Sequence, residues 1–137
     1  MNAVIKQIPK EMTWEIRHLV LWPDKEFDYV VLENDDAGKH YGLFIDDKLV
    51  SVISLFIKKN EAQFRKFATL QEEQGKGYGS LLLKYTLNQC QRLGVNRVWC
   101  NARQDKVPFY KKFGLQETSL FLVKGGLKFP IMEKTNN

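Results

Sequence analysis

The chain has 137 residues, which fits one domain with its own apolar core and no need of disulfide or metal staples. Its hydrophobic fraction of 44% and charged fraction of 27% are ordinary for a globular protein, and no apolar run approaches the length of a membrane-spanning helix. The net charge of +5 comes from lysines and arginines spread along the chain, so a small polyanionic ligand accounts for it as well as a nucleic acid does. The N-terminus lacks a signal peptide's apolar stretch and there are only two cysteines, so a cytoplasmic location is expected. Cys90, in a helical pattern, and Cys100, in a strand-like run, read as two buried thiols rather than a disulfide.

Residues 4–8 read as a short strand. Pro9 suits the opening of a helix, Ile16, Leu19 and Val20 follow at helical spacing, and Trp22-Pro23 ends it. Residues 23–40 are polar, with an acidic run at Glu33-Asn34-Asp35-Asp36, and read mainly as a solvated loop. Residues 41–45, 49–57 and 62–70 are strands of an antiparallel meander, joined by turn chemistry at Asp46-Asp47-Lys48 and Lys58-Lys59-Asn60. On the third of them, Gln63, Arg65 and Phe67 alternate onto one face. A glycine loop then opens a helix over residues 78–93, where Leu82, Leu83, Thr86, Leu87, Cys90 and Leu93 form one buried stripe and Gly94 follows the end. A strand at 97–101, a short helix at 106–113 stopped by Gly114, a strand at 115–123, a turn at Lys124-Gly125-Gly126 and a strand at 129–133 complete the chain. Met1-Asn2 and Lys134-Thr135-Asn136-Asn137 read as loose ends. The order β-α-β-β-β-α-β-α-β-β allows a parallel crossover through the second helix. The expected fold is α/β (α+β): a mixed, mostly antiparallel sheet of six to seven strands with helices on both faces.

The loop Gln74-Gly75-Lys76-Gly77-Tyr78-Gly79-Ser80 carries the clearest chemistry. The first turn of any helix has unpaired backbone N–H groups and the positive end of the dipole, and glycines let that backbone come close to a ligand. Phosphate oxygens are the natural occupant, with Lys76 adding charge and Ser80 a hydroxyl. The spacing is neither that of a P-loop nor the Gly-x-Gly-x-x-Gly of a dinucleotide fold. A tight turn that binds nothing is the bland alternative.

Gln74-x-x-Gly77-x-Gly79 resembles the Gln/Arg-x-x-Gly-x-Gly/Ala motif of the GCN5-related N-acetyltransferases (GNAT), and it stands between an apolar strand and an amphipathic helix as it does there. Pro108-Phe109-Tyr110-Lys111-Lys112-Phe113-Gly114-Leu115 resembles that family's Phe-Tyr-x-Lys-x-Gly-Phe segment. The resemblance implies a sheet splayed at its central strands and acetyl-coenzyme A as co-substrate, with no metal. Phe67, Ala68 and Thr69 would then offer backbone groups to the pantetheine arm, as an exposed sheet edge does to an added strand. The amides from Gln74 to Gly79 would hold the pyrophosphate. Asn101 and the 103–108 loop would flank the other side of the pantetheine, and Lys112 or Lys106 would meet the ribose phosphate. Tyr110 matches the tyrosine that protonates the departing thiolate, and a phenol with an ordinary pKa near 10 holds its proton for that purpose. Its bland alternative is core packing.

Two positions depart from the family pattern. Gln63 stands where histone-type members carry a glutamate base, and Arg103 where many members carry an asparagine. Glu33, Glu72 and Glu73 are carboxylates without a geometric warrant as base. Arg65 is a candidate for an acidic group on the acceptor, against the alternative of a solvated or ion-paired arginine. The acidic run at 33–36 is a candidate for a cationic amine, against the alternative of a solvated loop. Trp22-Pro23 is a candidate for the rim of the acceptor cleft. His18 and His40 lack partners at metal-ligand spacing. The leading expectation is an N-acetyltransferase acting on a small-molecule or peptide amine, with no nucleic-acid or membrane partner. A non-catalytic acyl-coenzyme A sensing module is the alternative. An exposed C-terminal strand would suit pairing into a homodimer.

Overall fold

The computed structural model describes residues 2–135. Of the expected loose ends, Met1, Asn136 and Asn137 lie outside those residues. The rest are held. Asp46 N donates to Asn2 O at 2.9 Å, and Lys134 and Thr135 pair with Val98 and Arg97 in the sheet.

Seven strands, β1 (Ala3–Ile8), β2 (Lys39–Ile45), β3 (Lys48–Lys58), β4 (Glu61–Thr69), β5 (Arg97–Asn101), β6 (Gln116–Lys124) and β7 (Leu127–Thr135), form one sheet in the order β1-β2-β3-β4-β5-β7-β6. All neighbours are antiparallel except β4 and β5, which run parallel. That pair is joined through α2 (Tyr78–Arg92), as a crossover helix requires. Helix α1 (Glu11–Ile16) continues into a π-helical turn at Arg17–Leu21, and α3 (Val107–Lys111) follows a 3-10 turn at Gln104–Lys106. The stretch between Trp22 and β2 is loop with two short 3-10 turns, Phe27–Val30 and Asp35–Ala37.

Two cores flank the sheet. On the α2 side, Leu82, Leu83, Leu87 and Cys90 pack with Leu43, Ile53, Leu55 and Phe64. On the α1 side, Ile8, Ile16, Val52 and Ala68 make a smaller cluster. Helix α2 ends in a Schellman arrangement: Gly94, at φ +75°, donates to Gln91 O and Val95 to Cys90 O. Gly125 and Gly126, both at positive φ, make the tight turn of the β6–β7 hairpin.

One irregularity overturns the expected alternation on β4. Ser54 pairs with Arg65 and Val52 with Ala68, so Ile53 faces two residues, Lys66 and Phe67. Lys66 takes φ +54°, which marks the bulge. The extra residue returns Phe67 to the α2-side core that Phe64 already occupies. Gln63, Arg65 and Phe67 therefore do not share a face: Arg65 stays by Phe56, its guanidinium carbon 5.9 Å from that ring centroid. The sequence carries a trace of this, because two cations in a row, Arg65-Lys66, between Phe64 and Phe67 break a period of two.

Candidate functional site

The glycine loop is built for an approaching ligand. Gly75 and Gly77 take φ +79° and +84°, and a Cβ on either would meet no atom within 4 Å, so the loop's backbone faces open space. The first bond closing α2 is Leu81 N to Gly77 O at 3.1 Å. The amides of Gly79 and Ser80 lie ahead of it and have no acceptor inside the helix. Gln74 Nε2 donates to Thr69 O at 3.0 Å, tying the loop to the end of β4. Lys76 is exposed and ion-paired with Glu73 at 3.0 Å, and the Tyr78 side chain is buried in the core. Gly79 packs close to β4, where an added Cβ would stand 3.4 Å from the Phe67 ring.

Strands β4 and β5 pair over only three positions, Glu61, Ala62 and Gln63 against Arg97, Val98 and Trp99. Beyond Gln63 they part, and β4 runs on to Thr69 with no β5 partner. Arg97 clamps the closed end, with Nε 2.6 Å from Glu133 Oε1 and Nη1 3.1 Å from Glu61 Oε1. The splay thus leaves Phe64 to Thr69, which include Phe67, Ala68 and Thr69, without a β5 partner.

A cleft of about 160 Å³ opens at the splay, lined among others by Gln63, Arg65, Lys66, Asn101, Trp22 and Lys124. Asn101 sits at the end of β5, and Lys124 arrives from the β6–β7 hairpin with Leu122 and Phe129. Trp22 lines this cleft, and Pro23 is not among its lining residues. Among the described residues no acidic side chain lines this cleft. A broader hollow of about 730 Å³ adjoins it past Gln63, reaching Phe56, Trp99 and the β3–β4 turn. The larger hollow lies at the paired end of the strands, away from the glycine loop. The smaller one sits where the strands part, and is the better candidate site.

Tyr110, on α3, stacks with Phe64 and Phe109 at ring-centroid distances of 5.7 and 5.4 Å. Phe109 in turn lies 6.4 Å from Phe67, so α3, β4 and the glycine loop meet in one aromatic cluster. Burial pushes the Tyr110 phenol well above its ordinary value, with Cys100 and Asp105 adding to the shift. The same desolvation pushes the Cys100 thiol up to about 12 and that of Cys90 up to about 11, so both are inert at neutral pH. Lys112 and Lys106 flank α3, both exposed.

Above the α1 face lies a buried network that sequence reading missed. Arg17, fully buried, donates through both terminal nitrogens to Asp35 at 2.8 and 3.0 Å, and also to Val30 O and Ser54 Oγ. Trp14 Nε1 and the Leu32 amide complete the shell around Asp35. Burial alone would raise the Asp35 carboxyl, but these donors outweigh it and hold it below the usual carboxylate range. His40 bridges Ser54 Oγ and Asp35 O at 2.7 and 2.9 Å. The acidic run is therefore not simply a solvated lure for an amine, because Asp35 is structural. Nothing local in the sequence pairs Arg17 with a residue 18 positions on.

Among the described residues no group of three or more His, Cys, Asp and Glu could hold a metal ion, and no helix is long and apolar enough to cross a membrane.

Known proteins give this arrangement a family. The Acetyltransferase (GNAT) domain model matches residues 24–136. The Uncharacterized N-acetyltransferase YitI of Bacillus subtilis (strain 168) is 33% identical over 122 residues, with 82% of each chain covered. The ribosomal-protein-S18-alanine N-acetyltransferase of Escherichia coli has the same fold, with a TM-score of 0.82 at 15% identity over 98% of this chain and 94% of that one. A GNAT family acetyltransferase from Elizabethkingia anophelis, solved with acetyl-CoA bound, superposes with a TM-score of 0.76 at 14% identity over 98% and 99% of the two chains. The splayed seven-stranded sheet, the glycine loop and the matched family model make this chain a member of the GNAT acetyltransferase family.

Proposed function

We propose that the protein transfers the acetyl group of acetyl-coenzyme A to a primary amine by direct attack, with Tyr110 as general acid. The observation that carries this is the parting of β4 from β5 just past Gln63, with the glycine loop at one end and Tyr110 beside it. Acetyl-coenzyme A supplies an activated acetyl thioester. The edge at Phe67, Ala68 and Thr69, which has no β5 partner although Thr69 O already accepts from Gln74 Nε2, is suited to hold the pantetheine as an added strand. The glycine-loop amides up to Gly79, apart from that of Gln74, which donates to Gln71 O, are suited to the pyrophosphate, since a glycine-opened helix start offers both donors and dipole. Asn101 flanks the opposite side, and Lys112 is the candidate for the ribose phosphate. Family relatives with acetyl-CoA bound support the same cofactor here.

Tyr110 keeps its proton because burial disfavours the phenolate. A buried phenol is a weaker acid than a free one, so Tyr110 would give up its proton only to a strong base, such as the thiolate that forms as the thioester breaks. Gln63 cannot take a proton from the attacking amine, so the amine loses it to water. The absence of a carboxylate at Gln63 is also what favours the second reading, a module that binds acyl-coenzyme A without turnover. Incubation with acetyl-coenzyme A and a panel of primary amines separates the two. Amine-dependent thiol release supports the transferase; saturable cofactor binding without it supports the sensor.

A further inference from the structure

The walls of the acceptor cleft are unusual in charge. Arg65 and Lys66 come from β4 and Lys124 from the β6–β7 hairpin, and no acidic side chain of the described residues stands among them. The Lys66 and Lys124 ammonium groups each lie 5.9 Å from the Trp22 ring centroid, so both converge on one indole. Neither lysine, nor Arg65, takes part in any ion pair found among the described residues. Asp35, whose charge acts on Arg65 and Lys66, is already matched by Arg17 through two hydrogen bonds.

Three unmatched cations in one cleft repel each other, and a partly desolvated cation lacks the water that would screen it. The arrangement is costly for the empty fold. Lys66 also takes left-handed backbone at φ +54°, a conformation that a lysine seldom adopts and that persists where the surroundings enforce it. Burial, with Arg65, Lys124 and Arg17 pressing in the same direction, pushes the Lys66 ammonium down to about 8. A small anionic group set among the three would remove the repulsion. A cationic acceptor such as a polyamine would meet it at full strength.

We propose that Lys66 and Lys124, converging on Trp22, form an anion subsite with Arg65 in the same cleft wall, and that the acceptor is a small amine carrying a carboxylate or phosphate. This rests on the transferase reading for the amine and on the cleft alone for the anion. A volume of about 160 Å³ suits a compact acceptor rather than a large one. The trans arrangement of functions is simple: the anion anchors on the hairpin side and the amine points toward the splay between Gln63 and Asn101.

Two readouts keep the inference separate from the reading beneath it. The first is binding without turnover. Calorimetric titration with inorganic phosphate and with N-acetylglycine is expected to show saturable binding, weakened at least tenfold in Lys124→Met and in Lys66→Met, with the variants' thermal melts confirming that they fold. No saturable binding of either probe, or binding that both variants retain, overturns the anion subsite whether or not the protein is an enzyme. The second is acceptor preference in thiol release. Glycine-like amino acids and amino-alkyl phosphates are expected to exceed their amide or alcohol counterparts in kcat/KM by at least tenfold, with Lys124→Glu reversing the order; the carboxylate and phosphate arms identify the group. Equal or better turnover of neutral amines or diamines overturns the inference and leaves the transferase standing. Failure of every amine to stimulate thiol release, alongside anion binding, removes the transferase reading and leaves the subsite.

Discussion

Two clusters of positive charge stand on the α1 side of the sheet, and they are built in opposite ways. Arg17 is fully buried and its charge is paired with Asp35, its two terminal nitrogens also engaged by Ser54 and the Val30 carbonyl while Nε has no hydrogen-bond partner. Arg65, Lys66 and Lys124 are half-buried or exposed and unmatched by any ion pair among the described residues. The first spends its charge inside the fold and fastens the loop before β2 onto the helical segment. The second keeps its charge available. A cation completed within the protein is a structural part, whereas one left incomplete at the mouth of a cleft is a candidate for binding.

The comparison breaks most readily at Arg17. Arg17→Met leaves the Asp35 carboxylate buried without its cation, and loss of one partner of a buried pair costs about 3–5 kcal/mol. Urea unfolding is expected to show that loss, while Lys124→Met shows none of comparable size. If Arg17→Met were as stable as the parent, the distinction between the two clusters would fail.

Tyr110→Phe tests the chemical side. The phenol ring packs against Phe64 and Phe109, and phenylalanine keeps that packing. Turnover is expected to fall about 100-fold or more, with acetyl-coenzyme A affinity nearly unchanged. Full turnover would remove the acid role.

A smaller effect is expected at Gly77→Ala. A left-handed φ of +84° costs a non-glycine residue about 1 kcal/mol. No atom within 4 Å would obstruct the methyl in the fold itself. Any loss of acetyl-coenzyme A affinity beyond that stability cost therefore reports a ligand that needs the bare backbone. Unchanged affinity would argue against pyrophosphate at this loop.

The smallest effect is a pH dependence at Lys66. Its folded value of about 8 lies below the ordinary 10.5, so the unfolded chain binds more protons between those limits. Stability gains from this group as pH rises through that window, and the penalty is fully present below about pH 8. Lys66→Gln is expected to be more stable than the parent at pH 7, by on the order of 1 kcal/mol after allowance for solvent screening. The gap should close toward pH 10.5. A variant less stable than the parent at pH 7 would mean Lys66 has a partner that stabilises it.

The glycine loop and the elements around it were readable in the sequence because their signals are local. Glycines at fixed spacing, an apolar strand before them and an amphipathic stripe after them all lie within a few dozen residues. The Schellman ending at Gly94 and the glycine turn at 125–126 follow from single residues. The cleft at the splay was mostly not readable, because it is made by distant elements. Trp22, Arg65, Lys66 and Lys124 meet only after the sheet has closed, and the β4 bulge shifts the faces by one residue. The adjacent cations Arg65-Lys66 hinted at that bulge, yet alternation alone placed Phe67 on the wrong face. Arg17 and Asp35 likewise carry no mutual spacing signal. Their pairing turned an acidic loop run into a buried anchor.

On the proposed function, cofactor and acceptor meet from two sides of the opening between β4 and β5. A crystal structure with acetyl-coenzyme A bound tests it most directly. The account predicts the pyrophosphate on the glycine-loop amides up to Gly79, the pantetheine along Phe67 to Thr69, and the thioester at the splay between Tyr110 and the cleft of Gln63, Lys66 and Asn101. A cofactor lying instead in the broader hollow by Phe56 and Trp99, or away from the glycine loop, would contradict it.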